Sequence, residues 1–372
     1  MNLENRSRRT FLQTAAFGAA GAGLGFVNPV FAAAKAPQKV RTVDEVVAMT
    51  PMETAKNSLV VQTAYQVLLD SAKLLKDVKV RDTVTRILKN PDTTLDLTDE
   101  SALVKELQKA GFLDESDRTV FPKIGSNGVS PQPTWSAPGS GYGSHHAYPG
   151  GLVVHVALNV LSAKKLLQSY KDNNDCILNV DDALGGELLH DLHKPWVFQW
   201  QADNSCRKEE LLARTGEHHV LSLAESMHRN LPASLCVAQA CAHEHPGSAS
   251  GLELVTGWIR CAAMIAGKDP IKSGYLSKDG KSLPRPLRTE GFVVHLADHD
   301  WVISVPACRW TVEALKPLAK DIYGIDFERS PAQFNALRNY VLANLTAMRL
   351  HAIRSGEGDS AFAREVARVL KA

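Results

Sequence analysis

Apolar residues recur at helical spacing along most of the chain, and almost nowhere in the strict alternation of a half-buried strand. Val46, Val47 and Met49, then Leu59, Val60, Ala64, Val67, Leu68 and Leu69, predict helical packing from Val43 to Leu75. Two further helices are expected over Asp82 to Leu88 and Glu100 to Leu113. Asn90-Pro91-Asp92 forms a turn between them, and Asp99 or Ser101 is the candidate cap. From Pro122 to Gly143 the chain turns to Ser, Pro and Gly, with Trp135 and Tyr142 among them, which predicts a long loop of the kind that walls binding sites. Helical spacing resumes with His155 at or near the start of an apolar helix that runs through Val160 and Leu166. A helix opens near His218 and continues through Leu221 and Leu223. Another begins near Pro232 and closes at Ala242, and a third spans Leu252 to Ile265. Phe334, Leu337, Val341, Leu342 and Leu345 keep the spacing, and Ala361 to Leu370 gives a last short helix. The expected fold class is therefore all-α, with no internal repeat.

Composition narrows the class. The chain has 372 residues, 44% of them hydrophobic, so a sizeable core is available. The formal net charge of +2 argues against a nucleic-acid binder that relies on bulk electrostatics. None of the six cysteines lies in a CxxC, which disfavours a zinc ribbon. At the N-terminus, Ser7-Arg8-Arg9-Thr10-Phe11-Leu12-Gln13, the small-residue apolar run from Ala15 to about Val27, and Val30-Phe31-Ala32-Ala33-Ala34 read as a twin-arginine signal over residues 1–34. The expectation is export of a folded chain by the twin-arginine machinery to the periplasm. The apolar run is too short for stable membrane insertion, so none is expected of the mature chain.

The histidines carry the chemistry. His190-Asp191 ends the apolar run Gly185-Gly186-Glu187-Leu188-Leu189, and Lys194 follows three residues after Asp191. Adjacent helical residues point about 100° apart, so an imidazole and a carboxylate at a helix edge can lean toward one divalent ion. Lys194, at i+3 from Asp191, can hold an anionic oxygen beside that ion. Further histidines fall at other helix ends: His145 and His146 at the end of the long loop, His155 early in a helix, His218-His219, His243-Glu244-His245, and His295 before Asp298. All the histidines except His228 and His351 lie in these clusters, counting His193 and, beside Asp298, His299.

The order His155, His190-Asp191, His218, His243 and Asp298 resembles the HD superfamily of metal-dependent phosphohydrolases. The segment from His145 to His155 is similar to HD enzymes related to bacterial 3′–5′ exoribonucleases. His190-Asp191-Leu192-His193-Lys194 matches the HDxxK element, and Ala297-Asp298 the closing aspartate. The resemblance covers Ser144 to Val305. It implies an HD-domain helical bundle over 144–305, preceded by a helical region and loop over 35–143 and followed by a helical extension over 306–372. By matching positions, His155, His190, Asp191 and Asp298 would hold a first metal. His218 and His243, with His219 and His245 as alternatives, would hold a second metal or the substrate phosphate. The implied cofactor is one or two divalent transition ions, Fe, Mn, Ni, Co or Zn. The implied substrate is a small phosphorylated compound or nucleotide, attacked by metal-activated water. Asp191 would bridge two ions, Lys194 would neutralise the phosphoryl oxygens, and His145 or His146 would touch the phosphate or protonate the leaving oxygen. Two other functions share the same residues: an inactive ligand-binding or sensing module that keeps metal as a staple, and a di-iron oxygenase. For Trp196, Phe198 and Trp200 the expectation is core packing, with nucleobase stacking as the alternative. The basic run from Lys268 to Arg288 is expected to be a solvated loop.

Overall fold

The structure, a computed structural model, describes residues 29–95, 97, 100–123, 131–141 and 143–372. The twin-arginine stretch and the apolar run after it, to Val27, lie outside the described residues, as does Asp99. The first described element is α1 (Pro29–Lys35), whose Val30, Ala33 and Ala34 are buried. Strand β1 (Arg41–Thr42) runs into α2 (Val43–Val47), followed by α3 (Pro51–Asn57) and α4 (Leu59–Ala72). The helical spacing from Val43 to Leu75 is thus split into three helices. Thr42, Thr50 and Ser58 cause the breaks: each side chain accepts a backbone N–H of the next first turn, and Pro51 starts α3. Next come α5 (Val78–Lys89) and α6 (Ser101–Lys109). Glu100 occupies the cap position of α6 without a side-chain cap bond. Left-handed Gly111 follows the end of α6, four residues before the spacing fades.

The central helices build the body. They are α7 (Gly151–Asn174), α8 (Val180–Leu189), the single turn α9 (Lys194–Val197), α10 (Glu217–His228), α11 (Ala233–Ala240), α12 (Ala249–Ile265) and α13 (Glu290–Ala297). Between α9 and α10 lies a short antiparallel pair, β2 (Leu211–Leu212) and β3 (Thr215–Gly216). Helices α7, α8, α11 and α13 pack on one another, and α10 packs on α11 and α12. Gly185 and Gly186 sit inside α8, where glycine costs about 1 kcal/mol against alanine. Close approach requires them: a Cβ at Gly185 would fall 2.6 Å from Leu235 Cδ1, and one at Gly186 3.1 Å from Val294 Cγ2. These two glycines draw α8 down onto α11 and α13, and so bring the ends of all three helices together.

The chain closes with α14 (Trp301–Tyr323), α15 (Pro331–Leu345), α16 (Ala347–Glu357), α17 (Asp359–Val366) and β4 (Leu370–Lys371). Leu370 lies beyond the last helix, because β4 pairs in parallel with β1 and ties the C-terminus to residue 41. The strands are two-residue pieces around an all-α bundle. One hydrophobic cluster runs from Val30 to Leu370 and joins all these parts. Five of the six cysteines are buried. Among the described residues no helix is long and apolar enough to cross a membrane.

Candidate metal centre

Five helix ends meet at one place. His155 lies in the first turns of α7, His190 caps the C-terminus of α8, and Asp191 follows it. His218 is the second residue of α10. His243 lies three residues past the end of α11, and Asp298 caps α13. The C-termini of α8, α11 and α13 thus bring their negative dipole ends near this point, which favours positive charge there.

The side chains converge as closely as the helix ends do. His155 Nε2 lies 3.0 Å from Asp298 Oδ1 and 3.3 Å from Asp191 Oδ2. His190 Nε2 lies 3.2 Å from Asp191 Oδ2 and 3.4 Å from Asp298 Oδ1. The other oxygen of Asp191 faces a second group, with His218 Nε2 at 3.4 Å and His243 Nε2 at 3.9 Å from Oδ1. Asp191 therefore stands between two sets of imidazoles, one on each oxygen. Lys194 Nζ sits 2.6 Å from Asp191 Oδ2 and donates to the Gly139 carbonyl oxygen, which brings the long loop to the edge of the site.

On His190 and His218 the nitrogen that faces away from the centre meets an acceptor. His190 Nδ1 donates to the Glu187 carbonyl oxygen at 2.7 Å. His218 Nδ1 meets Glu209 Oε2, and His155 Nδ1 lies 3.5 Å from Asp300 Oδ1. Such partners fix which nitrogen carries the proton and leave the inward Nε2 as a lone-pair donor. Asn159 Nδ2 donates to Asp298 Oδ1 at 2.7 Å and steadies that carboxylate.

The arrangement is densely charged and buried. Burial opposes charge on His155, yet Asp191, Asp298 and Asp300 outweigh it and hold the ring up at about 10. His190 is likewise held well above the usual histidine value, against burial, by Asp191 and Asp298. Burial works to raise Asp191 and Asp298, but His190 and its neighbours keep both well below the usual carboxylate range. Burial drives His243 down to about 4. Burial and the nearby His243 and His218 drive His219 well below its usual value.

These residues fit a divalent transition ion. His190 Nε2, Asp191 Oδ1, His218 Nε2 and His243 Nε2 are buried without a hydrogen bond. Buried polar atoms are rarely left so, and here they point at one another. A mixed imidazole and carboxylate set without thiolate suits Fe, Mn, Ni, Co or Zn. Among the described residues, three groups have ligand atoms mutually within 4.8 Å: His155, His190 and Asp298; His218, His219 and His243; and His145, His146, His155 and Asp300. His155, His190, Asp191, His218, His243, Asp298 and Lys194 are thus brought together.

Some neighbouring residues turn elsewhere. His219 joins the second group, its ring stacked 3.4 Å from that of His243, whereas His245 is half-exposed beside Phe292 and His295. His193 turns from the centre toward Glu225, a carboxylate also held by Thr93, Thr94 and Arg229. Trp196, Phe198 and Trp200 are buried, with Trp196 stacked on Phe121 and the Trp200 Nε1 donating to the Ser136 carbonyl oxygen. Core packing accounts for all three. In the basic run, Arg288 is tied to Asp182 and Glu290.

Sequence reasoning did not find Asn159, Glu209 or Asp300. Asn159 carried a signal, since it lies one helical turn from His155. Glu209 carried none, because it reaches His218 only through the short β2–β3 turn.

Comparison with known proteins gives one distant likeness. Over 176 residues the chain is 26% identical to the dihydroneopterin 2′,3′-cyclic phosphate phosphodiesterase of Methanocaldococcus jannaschii. The matched stretch is 47% of this chain and 58% of that protein, so the chain spans little more than half of its relative's length. No family model and no solved structure matches the chain.

Proposed function

We propose that this chain is a metal-dependent phosphohydrolase of the HD type that cleaves a phosphodiester, and that it acts after export to the periplasm. One observation carries the reading: Asp191 stands between two sets of inward-facing imidazoles, its Oδ1 buried without a hydrogen bond and its Oδ2 paired with Lys194. The distant likeness to a cyclic-phosphate phosphodiesterase supports a phosphodiester as the substrate class. The twin-arginine motif at Arg8-Arg9 supports export.

His155, His190, Asp191 and Asp298 would hold a first divalent ion, and His218 and His243 a second. A bound ion of this kind supplies hydroxide near neutral pH by lowering the pKa of water. The chain's own residues do the rest. Lys194 brings a positive charge to the edge of the site, where it neutralises the charge that grows on the phosphoryl oxygens. The Glu187 carbonyl oxygen and the Glu209 carboxylate hold the outward nitrogens of His190 and His218 and so fix their tautomers. The end of the long loop places the imidazoles of His145 and His146 beside His155.

The test is metal analysis of the purified protein together with hydrolysis of bis(4-nitrophenyl) phosphate and of a 2′,3′-cyclic nucleotide. Bound transition metal and activity abolished by chelation and by Asp191→Asn are expected. A normally folded protein that takes up no metal, and stays inert with added Mn²⁺ or Fe²⁺, would overturn the reading.

A further inference from the structure

Beyond the ion pair proposed above, His155 has a second side. Its Nε2 faces Asp191 and Asp298, while its Nδ1 faces Asp300 at 3.5 Å. A neutral imidazole offers one lone pair and one N–H. With the lone pair turned to Asp191 and Asp298, the N–H points at Asp300, and Asp300 retains acceptor capacity of its own. Both Asp300 oxygens are buried without a hydrogen bond. On that far side lie His145 and His146, whose Nδ1 atoms are 3.1 Å apart and whose rings lie 5.1 and 5.3 Å from that of His155. Ligand atoms of His145, His146, His155 and Asp300 all fall within 4.8 Å of one another.

We propose that His145, His146 and Asp300 form a further binding site for a divalent transition-metal ion, next to the centre built on His155, His190, Asp191 and Asp298 and separate from it.

The backbone is built to hold these rings in place. His146 adopts a left-handed φ of 51°, a conformation that costs a residue with a Cβ and persists only when its surroundings fix it. The fixing is visible. The His146 carbonyl oxygen accepts from Gly139 N and from Tyr148 N, each at 2.8 Å. The Ser140 hydroxyl donates to the His145 carbonyl oxygen at 2.7 Å. A Cβ on Gly139 would fall 2.6 Å from His146 Cβ, and one on Gly151 would fall 1.8 Å from the His146 oxygen, so glycine is required on both sides. The loop thus spends conformational strain on two adjacent imidazoles whose nitrogens face each other. Two imidazoles and one carboxylate suit Zn, Co, Ni or Fe and leave coordination positions open for water or an anionic ligand.

The test uses Zn²⁺ alone, on the full chain. Stoichiometry is measured by calorimetric titration and by elemental analysis after gel filtration, and the sites are located by anomalous difference maps of Zn²⁺-soaked crystals. Wild type, His145→Ala and His190→Ala are compared. Circular dichroism and thermal melts check that each variant is folded. Wild type is expected to hold one more equivalent of Zn²⁺ than His145→Ala, with a peak between His146 and Asp300. That peak should persist in His190→Ala, while His145→Ala keeps the ion at His155 and Asp298. Equal stoichiometry in wild type and His145→Ala, or a filled first centre with no peak at Asp300, would overturn this site and leave the phosphohydrolase reading standing. A wild type that takes up no Zn²⁺ at either place would overturn both.

Discussion

The substitution Lys194→Met removes a buried ammonium that lies 2.6 Å from Asp191 Oδ2 and 2.5 Å from the Gly139 carbonyl oxygen. At 2.6 Å and an effective dielectric constant of about 20, the charge pair attracts by about 6 kcal/mol, much of it offset by the desolvation of two buried ions. In metal-free protein the substitution leaves Asp191 short of a counter-charge, a change that costs about 3–5 kcal/mol. With a divalent ion bound, the carboxylate keeps a cation beside it. The loss then falls to that of the charged hydrogen bond to Gly139, about 1.5–3 kcal/mol. The difference, about 2 kcal/mol, must appear as tighter metal binding in the variant, by roughly 30-fold. Turnover moves the other way, because the group that neutralises the phosphoryl oxygens is gone, and kcat should fall by about 10²–10³. Urea unfolding in EDTA and in saturating Mn²⁺ gives both stabilities, a chelator competition gives the affinity, and a chromogenic phosphodiester gives kcat. If metal affinity instead fell in step with kcat, Lys194 would be holding Asp191 in place for the ion, and the competition between ammonium and metal argued here would be refuted.

Glu209→Gln should weaken uptake of the ion at His218 and His243 by about 10–100-fold and leave the first ion in place, read by Co²⁺ absorbance titration; an unchanged affinity would remove Glu209 from the centre. The metal-free protein should show a pH dependence opposite to that of a protein held by carboxylates alone. His155, held up at about 10, and His190, held well above the usual value, add stability that is full below about pH 6.5 and is lost as pH rises toward 10. Asp191 and Asp298, held low, add stability that is present above about pH 4 and is lost as pH falls below it. Urea midpoints in EDTA should therefore fall between pH 6.5 and 9, and the fall should shrink with Zn²⁺ bound; parallel curves would count against metal at these residues. Gly150→Ala should cost at least about 1–3 kcal/mol, since φ is 77° and the new Cβ would meet Val61 Cγ1 at 2.3 Å, and a neutral effect in urea unfolding would mean that the loop before α7 relaxes freely.

What the sequence disclosed, and what it withheld, follows from the range of the interactions involved. Helices were legible because their apolar faces repeat locally, and the clustering of histidines at the ends of apolar runs already implied that those ends meet. Where the pattern ran past its helix, a cap intervened: Thr50-Pro51 and Ser58 cut one long apolar repeat into separate helices, since a hydroxyl that satisfies first-turn amides ends one helix as it starts the next. The metal-type residues could be named one by one, but not their division of labour. His190 and His193 are three apart and both buried, and only the packing of Glu225 from α10 turns His193 away from the centre. The same holds for His219 and His245, each a neighbour of a predicted ligand. Stacking on His243 brings the first in, and a turn ending at Gly247 leaves the second half-exposed. Glu209 and Asp300 act through tertiary contacts with no periodic trace, which is why residues that orient ligands are harder to read from sequence than the ligands themselves. Asp300 lies two residues from Asp298, yet the two carboxylates face opposite nitrogens of one imidazole. That divergence at His155 is what separates a first metal position from the further one proposed at His145, His146 and Asp300.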